Sequence, residues 1–151
     1  RGGHRLSLIR AALLKLLAPW PSAACTAIEG PSLKSAHREY DMGEGSGVCR
    51  GLLYELYGVE PLVIAPSSLK KFATGNAEAE KEAIMEYVVS RLRFPVTTDD
   101  AADAAVLAYM AYTEHTGIRP ATRAQAEALK VLHSPRPKAK KRPGSGNPDN
   151  I

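Results

Sequence analysis

Three acidic residues, Glu29, Asp100 and Asp103, are the side chains of this chain best suited to chemistry. Asp100 and Asp103 belong to the block Asp99-Asp100-Ala101-Ala102-Asp103, at the head of an apolar stretch with helical character. Residues three apart on a helix share a face and lie within one turn. Two carboxylates so placed, with no basic neighbour in sequence, repel each other unless a cation or solvent lies between them. Acids in the first turn of a helix also complement its dipole and cap it, so the pair alone admits two readings. Glu29 shifts the balance toward a metal. It closes a short apolar run just before Gly30-Pro31, and in open α/β sheets ligands gather outside the carboxyl ends of the strands. Together the three acids would offer hard oxygen donors to one or two Mg²⁺ or Mn²⁺ ions. Two such ions about 4 Å apart suit phosphodiester hydrolysis. Lysines on the neighbouring loop favour phosphate over glycoside chemistry, which usually needs an aromatic-lined cleft, and only 6% of this chain is aromatic.

Other chemistries lack their residues. The sequence holds no Walker loop, no dinucleotide-binding glycine fingerprint and no paired histidines at metal spacing. His4, His37, His115 and His133 are scattered and read as surface or loop residues, and Ser67-Ser68 stands in no nucleophile elbow. The Gly43-Glu44-Gly45-Ser46-Gly47 segment has no Gly-Lys-Ser/Thr ending and reads as a flexible lead-in to a helix. Cys25 and Cys49 lack the spacing of a metal knuckle or redox motif, which suits reduced thiols in a cytoplasmic protein.

Positioning the acids requires a particular set of elements. Leu6, Leu8, Ile9, Ala12, Leu13, Leu16 and Leu17 recur at helical spacing until Pro19 and Pro21 end the pattern. Residues 22–29 form an apolar run of strand length, residues 30–46 a polar, glycine-rich loop, and residues 48–57 a helix that Gly58 stops. Residues 61–65 give a second apolar strand, and 66–76 a basic loop. Asn76 is placed to cap a helix with Glu78, Glu80 and Glu82 near its start and Ala83, Ile84, Tyr87, Val88 and Leu92 as its buried stripe. Thr97 or Thr98 is placed to cap the aspartate-bearing helix, and a last helix spans about 121–133. A crossover helix between the two strands makes them parallel neighbours. Two strands are too few for an independently stable parallel sheet, so further strands are expected. Because the chain opens on Arg1, they are expected upstream of it.

At 151 residues and 44% hydrophobic content the chain suits one soluble globular domain with a real core. No apolar run reaches the length of a membrane span, and no signal peptide is evident, so neither membrane nor export is expected. The formal charge of +4 resides in residues 134–151, where Arg136, Lys138, Lys140, Lys141 and Arg142 face only Asp149. That proline-, lysine- and glycine-rich tail reads as disordered, and attraction to nucleic acid must come from it and from local clusters.

These residues resemble the RuvC-like Holliday junction resolvases, a family with a ribonuclease H-like fold. The resemblance runs from about residue 5 to residue 115. It rests on the strand ending Ala27-Ile28-Glu29, on Lys70-Lys71-Phe72-Ala73-Thr74-Gly75-Asn76-Ala77-Glu78-Ala79-Glu80-Lys81, and on Asp100-Ala101-Ala102-Asp103-Ala104. It implies an α/β, ribonuclease H-like fold with a central mixed sheet flanked by helices, its first strands missing from this chain. Residues 1–116 would form the partial nuclease domain, 117–133 a C-terminal helix and 134–151 the basic tail. In that family four carboxylates bind two divalent cations, and Glu29, Asp100 and Asp103 match three of them. The fourth, on the family's opening strand, has no counterpart, since no acid occurs before Glu29. Asp99 is extra to the pattern and reads as a capping or outer acid. The implied activity is symmetric cutting of four-way DNA junctions by a homodimer, with Lys70, Lys71 and Lys81 facing the DNA, Lys81 having as its alternative a solvated pairing with the glutamates of its own helix. Lys34 and Arg38 follow Glu29 in a loop that is expected beside the DNA, or else is a plain surface loop. The missing aspartate leaves open a catalytically inactive, junction-binding remnant, and the shared carboxylates a ribonuclease H-like nuclease of other specificity.

Overall fold

In the computed structural model of the protein the described residues are 2–30 and 39–133, with 39–42 described by their backbone alone. In chain order the elements are α1 (Gly2–Leu17), β1 (Ala27–Glu29), α2 (Glu39–Tyr57), β2 (Leu62–Ile64), α3 (Pro66–Thr74), α4 (Lys81–Tyr87), a π-helical turn (Val88–Leu92), α5 (Asp99–Thr116) and α6 (Arg123–Leu132). The result is a mostly helical α/β arrangement with a small parallel sheet. The parallel pairing of the two strands follows the expectation, with Ala27 opposite Leu62, Ile28 opposite Val63 and Glu29 opposite Ile64. The expected central mixed sheet is not present among the described residues, where the sheet has two strands. Further, β1 occupies only the last three residues of the apolar run at 22–29. The ladder extends as far as β2 supplies partners: the Leu62 amide donates to the Thr26 carbonyl at 2.9 Å and the Gly30 amide to that of Ile64 at 2.8 Å.

Two expected loops are helical. Residues 66–74 form α3 because Pro66, with its fixed φ, suits the first helical turn, Leu69, Phe72 and Ala73 fall on one buried face, and Gly75 ends the helix at φ 83. Likewise α2 begins nine residues before its expected start, taking in Gly43, Gly45 and Gly47. Its glycines are poor helix formers, but α1 packs along this segment, and the Ile9 side chain comes within 3.8 Å of the place a Cβ would occupy on Gly45. Tertiary contact there outweighs propensity. Asn76 does not cap a helix: its Oδ1 accepts from the Glu78 amide at 3.0 Å in a tight turn, and α4 starts only at Lys81.

One core joins these elements. It holds Ile64 of β2, Leu69 and Phe72 of α3, Ile84 and Val88, Ala102, Val106, Leu107 and Met110 of α5, and Ala128 and Leu129 of α6. Ala102, Val106 and Met110, four residues apart, are fully buried and form the stripe by which α5 meets the rest of the core. Phe72 meets Tyr109 edge to face with ring centres 5.9 Å apart. In contrast, α1 has no buried residue and packs on α2, to which Arg5–Glu44 and Arg10–Glu55 ion pairs tie it at 3.0 and 2.7 Å. None of the helices among the described residues is long and apolar enough to cross a membrane.

Candidate active site

Glu29 stands at the carboxyl end of β1 and reaches solvent, while α5 packs against that strand. The start of α5 is fixed by Thr98, whose hydroxyl accepts from the Ala101 amide at 3.2 Å. Ala102, one residue before Asp103, is wholly buried, so Asp103 stands at the edge of the packed face and is half-buried, whereas Asp100 lies exposed. Asp100, Asp103 and Leu107 follow one another at helical spacing along one side of α5.

The electrostatics couple Glu29 to the aspartates. Burial raises the Glu29 carboxyl above its ordinary pKa, and the negative charges of Asp103 and then Asp100 raise it further. Asp103 is raised first by burial and then by Asp99 and Asp100, with Lys81 and Lys70 acting in the opposite direction. Acids from the strand and from the helix therefore share one electrostatic neighbourhood. They do not form a closed cage: among the described residues no group of three or more histidine, cysteine, aspartate or glutamate side chains is close enough to hold a metal ion. The donors are of the hard oxygen kind that Mg²⁺ and Mn²⁺ prefer. Their mutual repulsion is a penalty that a cation would relieve.

The expected DNA-facing lysines separate on inspection. Lys70 directs its field onto Asp103. Lys71, the next residue round α3, pairs instead with Glu127 of α6 at 2.7 Å, so it braces two helices. Lys81 pairs with Asp99 rather than with the glutamates of its own helix. Asp99, taken from the sequence as a capping or outer acid, does not make the cap, which is Thr98; it is instead the partner of Lys81, and this pairing lowers its own pKa. No sequence signal joins two residues 18 apart across a turn and a π-helical segment. Lys34 and Arg38, with the tail at 134–151, lie outside the described residues.

An α/β unit with a glutamate at the end of a parallel strand pair, and aspartates on the helix packed against it, is a broad architecture with a solved counterpart. The chain is similar to the Thermus thermophilus RuvC structure, with a TM-score of 0.56 and 22% identity, over 78% of this chain and 71% of that one. At that identity the likeness is one of fold. No protein-family model and no curated protein sequence matches the chain.

Proposed function

We propose that this protein is a divalent-metal-dependent, structure-selective endonuclease that cuts four-way DNA junctions, with Glu29, Asp100 and Asp103 as its metal ligands. The observation that carries this reading is the electrostatic coupling of Glu29 to Asp103 and Asp100, from elements far apart in sequence, in a chain whose fold is similar to that of a RuvC structure. Bound at these carboxylates, a divalent cation supplies Lewis-acid polarisation of the phosphodiester and of attacking water. The protein's own residues do the rest. Asp103 and Glu29, partly withdrawn from water, would offer the oxygen donors, and Lys70 and Lys81 bring positive charge to the rim where a phosphate backbone would lie. Branched DNA is the partner and a homodimer the expected assembly, on the resemblance drawn from the sequence.

A synthetic four-way junction, end-labelled and incubated with Mg²⁺ or Mn²⁺, is the direct assay. Symmetric nicks are expected, with Asp100→Asn lowering the rate at least about 100-fold through loss of a ligand oxygen. Unchanged cutting by Asp100→Asn would exclude the assignment, and preferential cutting of RNA–DNA hybrids would move the specificity to another ribonuclease H-like class. The lack of a closed three-residue metal group among the described residues favours a second reading, a junction-binding protein without cleavage. Junction binding that persists in EDTA, with no nicking at any metal concentration, selects it.

A further inference from the structure

Lys81 is the first residue of α4 and Asp99 the first residue of α5, and their side chains form an ion pair between the two packed helices. Neither residue is explained by its own helix. A cation at the N-terminus of a helix opposes the helix dipole, so Lys81 stands where α4 alone would disfavour it. Asp99 suits its dipole, yet the cap of α5 is already made by Thr98. The pair is open to solvent, with the Lys81 side chain 69% exposed, and pairs so exposed contribute little to stability. Such a pair can be broken at little cost. The Lys81 ammonium also lies within the field of Asp100 and Asp103. A phosphodiester approaching this rim therefore meets the carboxylates of Glu29, Asp99, Asp100 and Asp103, with Lys70 and Lys81 as the cations that act on Asp103.

We infer that Asp99 is a positioning residue that holds Lys81 in reserve at the rim of the acid cluster and hands it to a DNA phosphate when the substrate arrives. This inference rests on the nuclease reading above and adds a step to it. In the free protein the Asp99 carboxylate offsets the Lys81 charge and keeps the ammonium within reach of the acids. On binding, Lys81 exchanges one oxygen anion for another, a carboxylate for a phosphate oxygen, and Asp99 is left facing solvent. No proton or bond changes hands.

The exchange is tested by fluorescence anisotropy of the intact chain with a labelled four-way junction in EDTA, so that metal and cleavage play no part. Binding constants are measured across a salt series for the wild type and for Lys81→Gln, Lys81→Arg and Asp99→Asn. Lys81→Gln is expected to weaken binding and to make the slope of log K against log salt shallower by about one, the signature of one lost phosphate contact. Lys81→Arg is expected to keep the wild-type slope. Asp99→Asn, with no pair to break, is expected to bind three- to tenfold more tightly at the wild-type slope. A Lys81→Gln slope equal to that of the wild type overturns the inference, because Lys81 then never leaves Asp99. Weaker binding by Asp99→Asn overturns it as well, because Asp99 would then be orienting Lys81 instead of withholding it. Melting curves guard the interpretation: all three variants are expected to unfold within a few degrees of the wild type, and a large fall would mark the pair as structural and sink the exchange. If the wild type prefers the junction to a duplex of equal length while the slopes fail to separate, only this inference falls. With no such preference the nuclease reading falls first.

Discussion

At the level of single residues, Glu29 and Asp103 share one condition. Burial and like charges hold both carboxyls above their ordinary pKa values. The sign of the consequence follows from linkage. A carboxyl whose pKa is higher in the folded than in the unfolded chain contributes stability at low pH, and that stability is lost as pH rises through the folded value. Above those folded values, ionising either group costs folding free energy. Asp103→Asn is expected to raise the stability at pH 7 in EDTA by a few tenths of a kcal/mol, read as a higher thermal midpoint, once solvent screening of so accessible a group is counted. The gain should vanish below the ordinary carboxylate range, where wild-type Asp103 is protonated too. Millimolar Mg²⁺ should reverse the order of the two proteins by stabilising the wild type alone. Calorimetry across that pH range checks both statements, and an Asp103→Asn protein no more stable than the wild type at pH 7 would show that the repulsion does not operate. The acids could be picked out in the sequence because their spacing on a helix, and the Gly-Pro turn after Glu29, are local features. The division of labour between Lys70 and Lys71 was not legible, since it depends on which way each points from a helix that the sequence presented as a loop.

Among the elements, α6 shows how a helix remote from the acids supports them. It packs on α3, the helix that carries Lys70 and Lys71, and Glu127 grips Lys71 at 2.7 Å. Its start is a reciprocal cap: the Thr122 hydroxyl accepts from the Gln125 amide at 3.1 Å, while Gln125 Oε1 accepts from the Thr122 amide at 3.3 Å and from that of Ala121 at 2.9 Å. Gln125 is buried and its Nε2 donates to the Tyr87 hydroxyl at 3.0 Å, which ties α6 to the end of α4. Thr122→Ala should therefore cost about 1 kcal/mol, as caps generally do. Gln125→Ala should cost about 2–3 kcal/mol, because it strands two backbone amides and a phenol. Equal costs in urea denaturation would show that the link to Tyr87 carries nothing. Legibility among the elements follows the range of the forces. Gly58, Thr98 and the apolar stripe of α5 declared their elements through local pattern. Proline at the first turn and glycine after the last announce α3 just as locally, but the lysines between them suggested an open loop. The early start of α2 and the late start of β1 depend on partners, α1 and β2, that no window of sequence contains.

Taken whole, the molecule divides into a packed body and an outlying pair of helices, and its stability should divide in the same way. The core is drawn from β2, α3, α4 with its π-helical turn, α5 and α6, with none of the described side chains of α1 or α2. Leu52 and Leu53 of α2 are buried outside that cluster, and α1 leaves Leu16 68% exposed and Trp20, just beyond its end, 67% exposed. Exposed ion pairs such as Arg10–Glu55 contribute at most about 1 kcal/mol each, so among the described residues α1 rests chiefly on modest apolar contact with α2. Local opening free energies scale with such burial. Native-state hydrogen exchange should show α1 amides opening several kcal/mol below those of α5. Met110→Ala, at the centre of the core, should cost about 2–5 kcal/mol, and Leu16→Ala less than about 0.5 kcal/mol. The Met110 substitution should lower protection throughout α3, α5 and α6 together while leaving α1 nearly unchanged, because α1 opens without the core. Equal protection of α1 and α5 would contradict this division and would mean that contacts beyond those of α2 hold the first helix in place. The division bears on the acids directly: Glu29, Asp100 and Asp103 sit on elements of the packed body or on the strand bonded to it, so their mutual placement survives the opening of α1. Their electrostatic signature, the raised carboxyl titration of Glu29 and Asp103, should persist in a form of the protein whose α1 amides already exchange freely.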